Sequence, residues 1–235
     1  MIHIDRSSDN FEQGLLAFWT FYRKLQDQFL RMTRYIEFNE DNFHVYSLEL
    51  LMLYQTICNE VEVVSKTLAG FTKAAADVDL ERATFGDCWF YIQNKYQFHE
   101  HWKFSENDRL KDGVSLAKAE VKFLGVYPLR PFEKFHVVNA TNERGYTFHQ
   151  IQEGCVFPVW WSSHNKIKHR RVQIVNHSQS ISFYKEANLI NVAYAFAALY
   201  ILDRIVLEQL GTRADLEGFK NTDKLFKKRS MAEVG

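Results

Sequence analysis

The sequence predicts a mainly α-helical protein: an up-and-down helical bundle with an irregular, partly β insert in its middle. Three observations lead there. Apolar residues recur in steps of three and four near both ends of the chain, the spacing that keeps one stripe on one helix face. The stretch 97–154 loses that period and holds two of the three prolines, Pro128 and Pro131. Hydrophobic residues fill 46% of the 235 positions and aromatics 15%, enough for a large aromatic core.

Residues 9–37 read as the first helix. Phe11, Leu15, Phe18, Tyr22, Leu25, Phe29, Met32 and Ile36 hold one seam, and Glu37-Phe38-Asn39-Glu40-Asp41 breaks it. Residues 42–69 read as a second helix, apolar nearly all round from 45 to 57 and therefore central, with Gly70 at its C′ position. A polar stripe of Gln55, Asn59, Glu62 and Lys66 shares one face of it. Two explanations fit the stripe: a solvated edge with an i,i+4 Glu62–Lys66 pair, or a surface that faces a basic segment and orients it. Residues 77–98 hold a shorter helix interrupted near Gly86. Within 97–154, Asn142-Glu143-Arg144-Gly145 marks a β-hairpin or an irregular loop. Pro158 suits the first turn of a helix that runs to about Val175. After a polar loop, 176–182, the last helix spans 185–210, where Ala193, Ala195, Ala197 and Ala198 allow close approach by a neighbour. Residues 211–235 form a charged tail. Helices of this kind cannot bury their apolar faces alone, so one bundle over residues 1–235, with the insert at one end, is the simplest solution.

Composition excludes several function classes. Lys plus Arg and Asp plus Glu both number 29, for a net charge of +0, so no global field steers the chain to nucleic acid or membrane and anion binding must be local. Cys58, Cys88 and Cys155 are odd in number and far apart, which disfavours a disulfide framework or a Cys-rich zinc site. No uninterrupted apolar run reaches the roughly 18 residues that span a bilayer, and the start lacks a signal-peptide pattern. A cytoplasmic protein without membrane contact is expected. No phosphate-binding loop, dinucleotide fingerprint or nucleophile elbow occurs, so no cofactor is expected. His99-Glu100-His101 lacks further ligands and is expected to be a surface loop with no metal.

The strongest local signal is the window 154–185, which contains no Asp or Glu. Inside it, fourteen residues hold two Trp, two His, one Asn and four cations: Lys166, Lys168, Arg170 and Arg171. On a helix, Trp161, Asn165 and His169 share one face, and His164 and Lys168 share the next. An imidazole moves protons near neutral pH, an Asn holds a phosphate oxygen or fixes a His tautomer, and the cations bind phosphate. Those parts suit metal-independent cleavage of RNA through its own 2′-OH. The competing explanation makes Trp160 and Trp161 core anchors, His169 a satisfied core or interface histidine, and the cations a solvated face.

Pro158-x-Trp160-Trp161 followed by Asn165-x-x-Lys168-His169-Arg170 resembles a segment of the HEPN superfamily (higher eukaryotes and prokaryotes nucleotide-binding). Members carry a similar Trp-Trp-x-x-Tyr-Asn-x-x-Lys-His run before an Ala- and Leu-rich last helix, and Ala187-Asn188-Leu189 through Leu199-Tyr200 matches that continuation. The resemblance covers the helical ends and not the middle. It implies a HEPN-like homodimeric bundle and a metal-independent endoribonuclease, of the kind found in phage defence and toxin–antitoxin systems with a cognate antitoxin or defence-system partner. In active members an Arg-x(4–6)-His motif from both protomers lines one cleft. On this match His169 is the acid/base, Asn165 and His164 position the phosphate, and Lys166, Lys168, Arg170 and Arg171 bind the RNA backbone. Trp161, Glu62 and Lys66 support them. His164 stands where an active member places Arg, and lacks that residue's permanent charge and two-donor grip. The alternative is therefore a non-catalytic HEPN-like module that binds nucleic acid, a nucleotide or a partner protein.

Overall fold

In the computed structural model three long helices carry the core: α1 (Asp9–Met32), α2 (Leu48–Gly70) and α5 (Leu189–Leu210). Two short ones, α3 (Phe85–Ile92) and α4 (Val159–Arg170), lie against them. The structure describes residues 9–72, 79–99, 113–170, 172–176, 179–210, 218–219 and 223–226, with side chains at all of these except 9–13, 15, 172–176, 179–182 and 210. Within them, eight strands pair in sequence order into four separate antiparallel hairpins. These are β1 (Gln97–Phe98) with β2 (Val114–Ser115), β3 (Val121–Phe123) with β4 (Tyr127–Leu129), β5 (Val137–Thr141) with β6 (Thr147–Ile151), and β7 (Val172–Asn176) with β8 (Gln179–Ser182).

The expected up-and-down bundle is not what forms. α2 and α5 make the central pair, α1 and α4 pack against both, and α3 packs on α2. But α3 has 8 residues and α4 has 12, about 12 and 18 Å at 1.5 Å per residue. The 23 residues of α2 span about 34 Å by the same rise. The short helices cannot flank the long ones end to end, and hairpins cover what remains: β5 and β6 lie on α3, β1 and β3 on α5. Strand structure also extends past the expected insert. α4 stops at Arg170, and β7–β8 occupies ground where a helix end and a polar loop were expected. Val172, Ile174, Val175 and Ile181 are β-branched, stiff at χ1 and better suited to a pleated surface than to a helix interior.

Other boundaries shift for local reasons. α1 ends at Met32, five residues short of expectation, and the chain then turns to bury Phe38 against Phe123 and Tyr127, at ring distances of 4.8 and 4.9 Å. α2 starts at Leu48 because Ser47 caps it, its hydroxyl accepting from the Leu50 N–H at 3.1 Å. Gly70 is the last helical residue, and Phe71, in right-handed helical conformation, is the C-cap. The helix expected over 77–98 is only α3. A capping box between Thr84 and Asp87 starts it, a reciprocal pair that satisfies two free N–H groups. Gly86 sits inside its first turn without interrupting it.

One continuous cluster of buried side chains forms the core. Leu53, Ile57 and Val64 of α2 and Ala193, Ala195, Ala197 and Ala198 of α5 are all fully buried in it. α5 is long and apolar enough to cross a bilayer by length and composition, but 89% of that span is buried inside the protein. Three charged residues break its apolar surface: Asp203, and Arg204 and Glu208, which pair at 3.0 Å. Asp203 is buried with neither carboxylate oxygen hydrogen-bonded. Burial, and then the charge of Glu60 on α2, push its pKa well above the carboxylate range.

Candidate functional site

The basic run of the sequence is α4, and its base is built into the core. Pro158 opens the helix, and its carbonyl accepts from the Ser162 N–H at 2.9 Å. Trp160 donates its indole N–H to the Pro131 carbonyl at 2.7 Å, and its own carbonyl accepts the Tyr54 hydroxyl. Trp161 lies against Phe85 with ring centroids 4.3 Å apart. Ile167 is fully buried one side-chain layer further on. Both Trp are therefore core anchors, held with their polar atoms satisfied in Trp160's case by backbone.

His164 is buried too, at 1% exposure. Its ring touches Trp161 and Tyr54, at centroid distances of 5.2 and 6.2 Å. Neither ring nitrogen has a hydrogen-bond partner. Burial lowers its pKa to about 4, Lys168 and His169 push the same way, and Glu62 opposes them. The imidazole is neutral at pH 7 and presents no face to solvent. A neutral imidazole brings a phosphate no charge, and burial keeps its one N–H out of a phosphate's reach.

The two lysines of α4 are not free cations. Lys168 Nζ lies 3.6 Å from a Glu62 oxygen, and Lys66 pairs with the same carboxylate at 3.2 Å. The polar stripe of α2 thus contains the i,i+4 pair and also meets α4. Lys166 Nζ lies 3.6 Å from Glu186. Glu186 ends a 3-10 turn, Tyr184–Glu186, one residue past the acid-free window. Its carboxylate also accepts from Ser163 Oγ at 2.6 Å, while its carbonyl accepts from the Asn191 amide at 2.8 Å. The window is acid-free in sequence and supplied with two carboxylates in space.

What remains is the end of the helix. Along the face read from the sequence, Trp161 is buried, Asn165 half-buried and His169 exposed. Arg170 is exposed as well, and Arg171 lies outside the described residues. Among the described residues neither His169 nor Arg170 has a carboxylate partner. Lys168, His169 and Arg170 form the last turn, where the helix dipole favours cations by roughly 0.3–1 kcal/mol each. That gives them a structural reason to be basic, beside any ligand. Of His99-Glu100-His101, only His99 is described. Among the described residues no group of three His, Cys, Asp or Glu side chains is placed to hold a metal ion.

One pairing has no signal in the sequence. His149 Nδ1 on β6 lies 3.0 Å from Asp87 Oδ1 on α3, and the imidazole stacks on Phe90 at 4.3 Å. Burial raises the Asp87 pKa, but hydrogen bonds from Thr84 and His149 outweigh it and hold the carboxyl below its usual range. The pair fastens the β5–β6 hairpin to α3. Partners 62 positions apart leave no local spacing to read. Comparison of the chain with family models, with curated proteins and with solved structures gives no match in any of the three. Function is therefore argued from the site.

Proposed function

We propose that the chain is a nucleic-acid-binding module that contacts RNA through the exposed end of α4 and does not cut it. The observation that carries this is the division of one helix. Trp160, Trp161 and Ile167 fix its base in the core, while Asn165 is half-buried and His169 and Arg170 are exposed, with no ion pair to Glu62 or Glu186 among the described residues. Arg170 offers a planar fork that matches phosphate oxygens, and Asn165 a neutral donor beside it. His164, in the place of the motif arginine, is sealed in the core and supplies nothing to a phosphate. The resemblance to HEPN proteins supports an RNA-facing α4 and is confined to the two runs that carry it. Titration of a labelled single-stranded RNA against the parent and a His169→Ala/Arg170→Glu variant tests the reading. Weaker binding by the variant, with a shallower salt dependence, is expected. No binding by the parent at low salt would sink it.

A second reading is a metal-independent endoribonuclease effector with His169 as acid/base. It is favoured by Asn165 and His169 lying one turn apart on one side of the exposed end. It needs a homodimer, so that two copies of His169 meet in one cleft, and a role in phage defence or beside a cognate antitoxin in the cytoplasm belongs with it. RNA cleavage in the presence of a chelator, leaving 2′,3′-cyclic phosphate ends and lost in His169→Ala, would put it ahead of the first.

A further inference from the structure

A second basic surface lies on α1, outside every motif of the sequence. The C-terminal half of that helix and the chain around residue 224 wall a groove of about 610 Å³. Lys24 and Arg31 line it from α1, Arg34 from the turn just past the helix, and Lys224 from the opposite wall. Among the described residues Asp27 is the sole carboxylate of the lining, and Lys224 pairs with it at 3.2 Å. Lys24, Arg31 and Arg34 are exposed, and among the described residues none of them is ion-paired. The helix dipole explains a cation at Arg31, in the last turn. It does not reach Lys24, about two turns earlier, because its influence fades within the final turn.

The far wall is held in place. The Asp223 carboxylate accepts from the Tyr22 hydroxyl at 3.1 Å and the Gln26 amide at 2.8 Å, both on α1. It also accepts the backbone N–H groups of Leu225 and Phe226, each at 3.1 Å. The Leu225 carbonyl in turn accepts from the Leu124 N–H at 2.6 Å. These bonds are buried, so the segment that carries Lys224 is clamped to α1. Directly after it the sequence continues Lys227-Lys228-Arg229.

Among the described residues the lining contains no aromatic ring, and these residues offer no platform for stacking bases. They offer ammonium and guanidinium donors, whose natural partners are phosphate oxygens. Lys24 to Arg31 covers seven residues of helix, about 10 Å, enough to reach more than one phosphate of a strand. We propose that this groove binds the phosphodiester backbone of an RNA strand without reading its bases, as a second contact surface besides the end of α4. The two surfaces share no residue, so substitutions at one leave the other in place.

The test uses the full chain with Lys24→Glu, Arg31→Glu and Arg34→Glu combined. Labelled single-stranded RNAs of two unrelated sequences are titrated over a range of salt, with inorganic tripolyphosphate as competitor. The expected result is a loss of affinity of tenfold or more at low salt, alike for both RNAs. The slope of log K against log salt should shrink by about 2, since each contact to a single strand contributes about 0.7. If charge reversal unfolds the chain, as read by circular dichroism, the Lys24→Gln/Arg31→Gln/Arg34→Gln variant removes the charge alone. An unchanged slope in a folded variant overturns the groove and leaves the α4 reading standing. Tripolyphosphate displacing RNA at equal concentration reassigns the groove to a compact polyanion and overturns the backbone proposal. A parent that binds no RNA overturns both surfaces.

Discussion

The end of α4 and the groove on α1 carry the same kinds of side chain and differ in what stands opposite them. On α4, Lys166 and Lys168 come from an acid-free window, yet Glu186 and Glu62 reach them from outside it. On α1, Asp27 sits among the cations in sequence, yet it is tied to Lys224, and Lys24, Arg31 and Arg34 stay unpaired among the described residues. Charge counted along a chain is not charge felt by a ligand. The fold brings α2 and the 3-10 turn before α5 up to α4, whereas among the described residues Lys24, Arg31 and Arg34 are ion-paired to no carboxylate and Asp27 beside them is taken up by Lys224. Surface ion pairs are worth only about 0–1 kcal/mol, but each carboxylate offsets one positive charge that an incoming phosphate would otherwise meet. The same two places also differ in how they are held: α4 by aromatic burial, the groove by one buried carboxylate.

The largest way to break the comparison is at the base of α4. Trp160→Ala removes a buried indole together with its bond to Pro131, and a stability loss of about 3–5 kcal/mol is expected. Chemical denaturation would read it, and a loss under about 1 kcal/mol would show that α4 is not anchored as described. Acid should act next. His164 has a folded pKa of about 4 against about 6.5 unfolded. It contributes stability that is present above pH 6.5 and is lost as pH falls toward 4, up to about 3 kcal/mol. His164→Phe keeps the aromatic contacts and should remove most of this acid loss while leaving RNA affinity unchanged. Melting curves at neutral and acid pH check the first part, and an RNA titration checks the second. Parallel acid losses in variant and parent would refute the assignment.

On the groove side, Asp223→Ala strips the acceptor from Tyr22, Gln26 and two backbone N–H groups. Leaving buried donors without partners costs about 1–3 kcal/mol. The same variant should bind RNA more weakly, because Lys224 loses its clamp. A variant destabilised but unchanged in RNA affinity would separate the clamp from the groove. The smallest effect sharpens the comparison from the other direction. Glu62→Gln removes the acid shared by Lys66 and Lys168 and makes α4 resemble the groove. RNA affinity should rise by a factor of a few, in keeping with a surface pair worth under about 1 kcal/mol. A fall in affinity would mean that Glu62 positions Lys168 productively instead of masking it.

The long helices are legible in the sequence because each keeps an apolar period over twenty or more residues. The β5–β6 turn is legible too: Asn142 and Gly145 mark it, Gly145 adopts φ +81°, and the Asn142 carboxamide accepts from the Arg144 and Tyr146 N–H groups at 3.0 Å. The bundle is not, because it assumes that the shorter helical stretches are long enough to run beside the others. Residues 77–98 carry apolar spacing at both ends of α3 without saying that the chain leaves the helix after Ile92. The run after His169 has no Pro or Gly before Val172 to stop a helix, so only β-branching signals the hairpin. At the candidate site, the helical faces of α4 are legible and their burial is not. Spacing places Trp161, Asn165 and His169 on one side, but the depth of each depends on α2, α3 and α5. The groove is hidden for a similar reason. Its cations lie on the face of α1 that a search for apolar seams passes over, and Lys224 arrives from the far end of the chain.

The most direct measurement compares the salt dependence of RNA affinity for two charge-neutralised variants side by side: Lys24→Gln/Arg31→Gln/Arg34→Gln and Lys166→Gln/Lys168→Gln. If the groove cations Lys24, Arg31 and Arg34 are unpaired and the α4 lysines are masked, the first variant loses about 2 from the log–log slope and the second well under 1. Equal losses, or a larger loss on α4, would contradict the account.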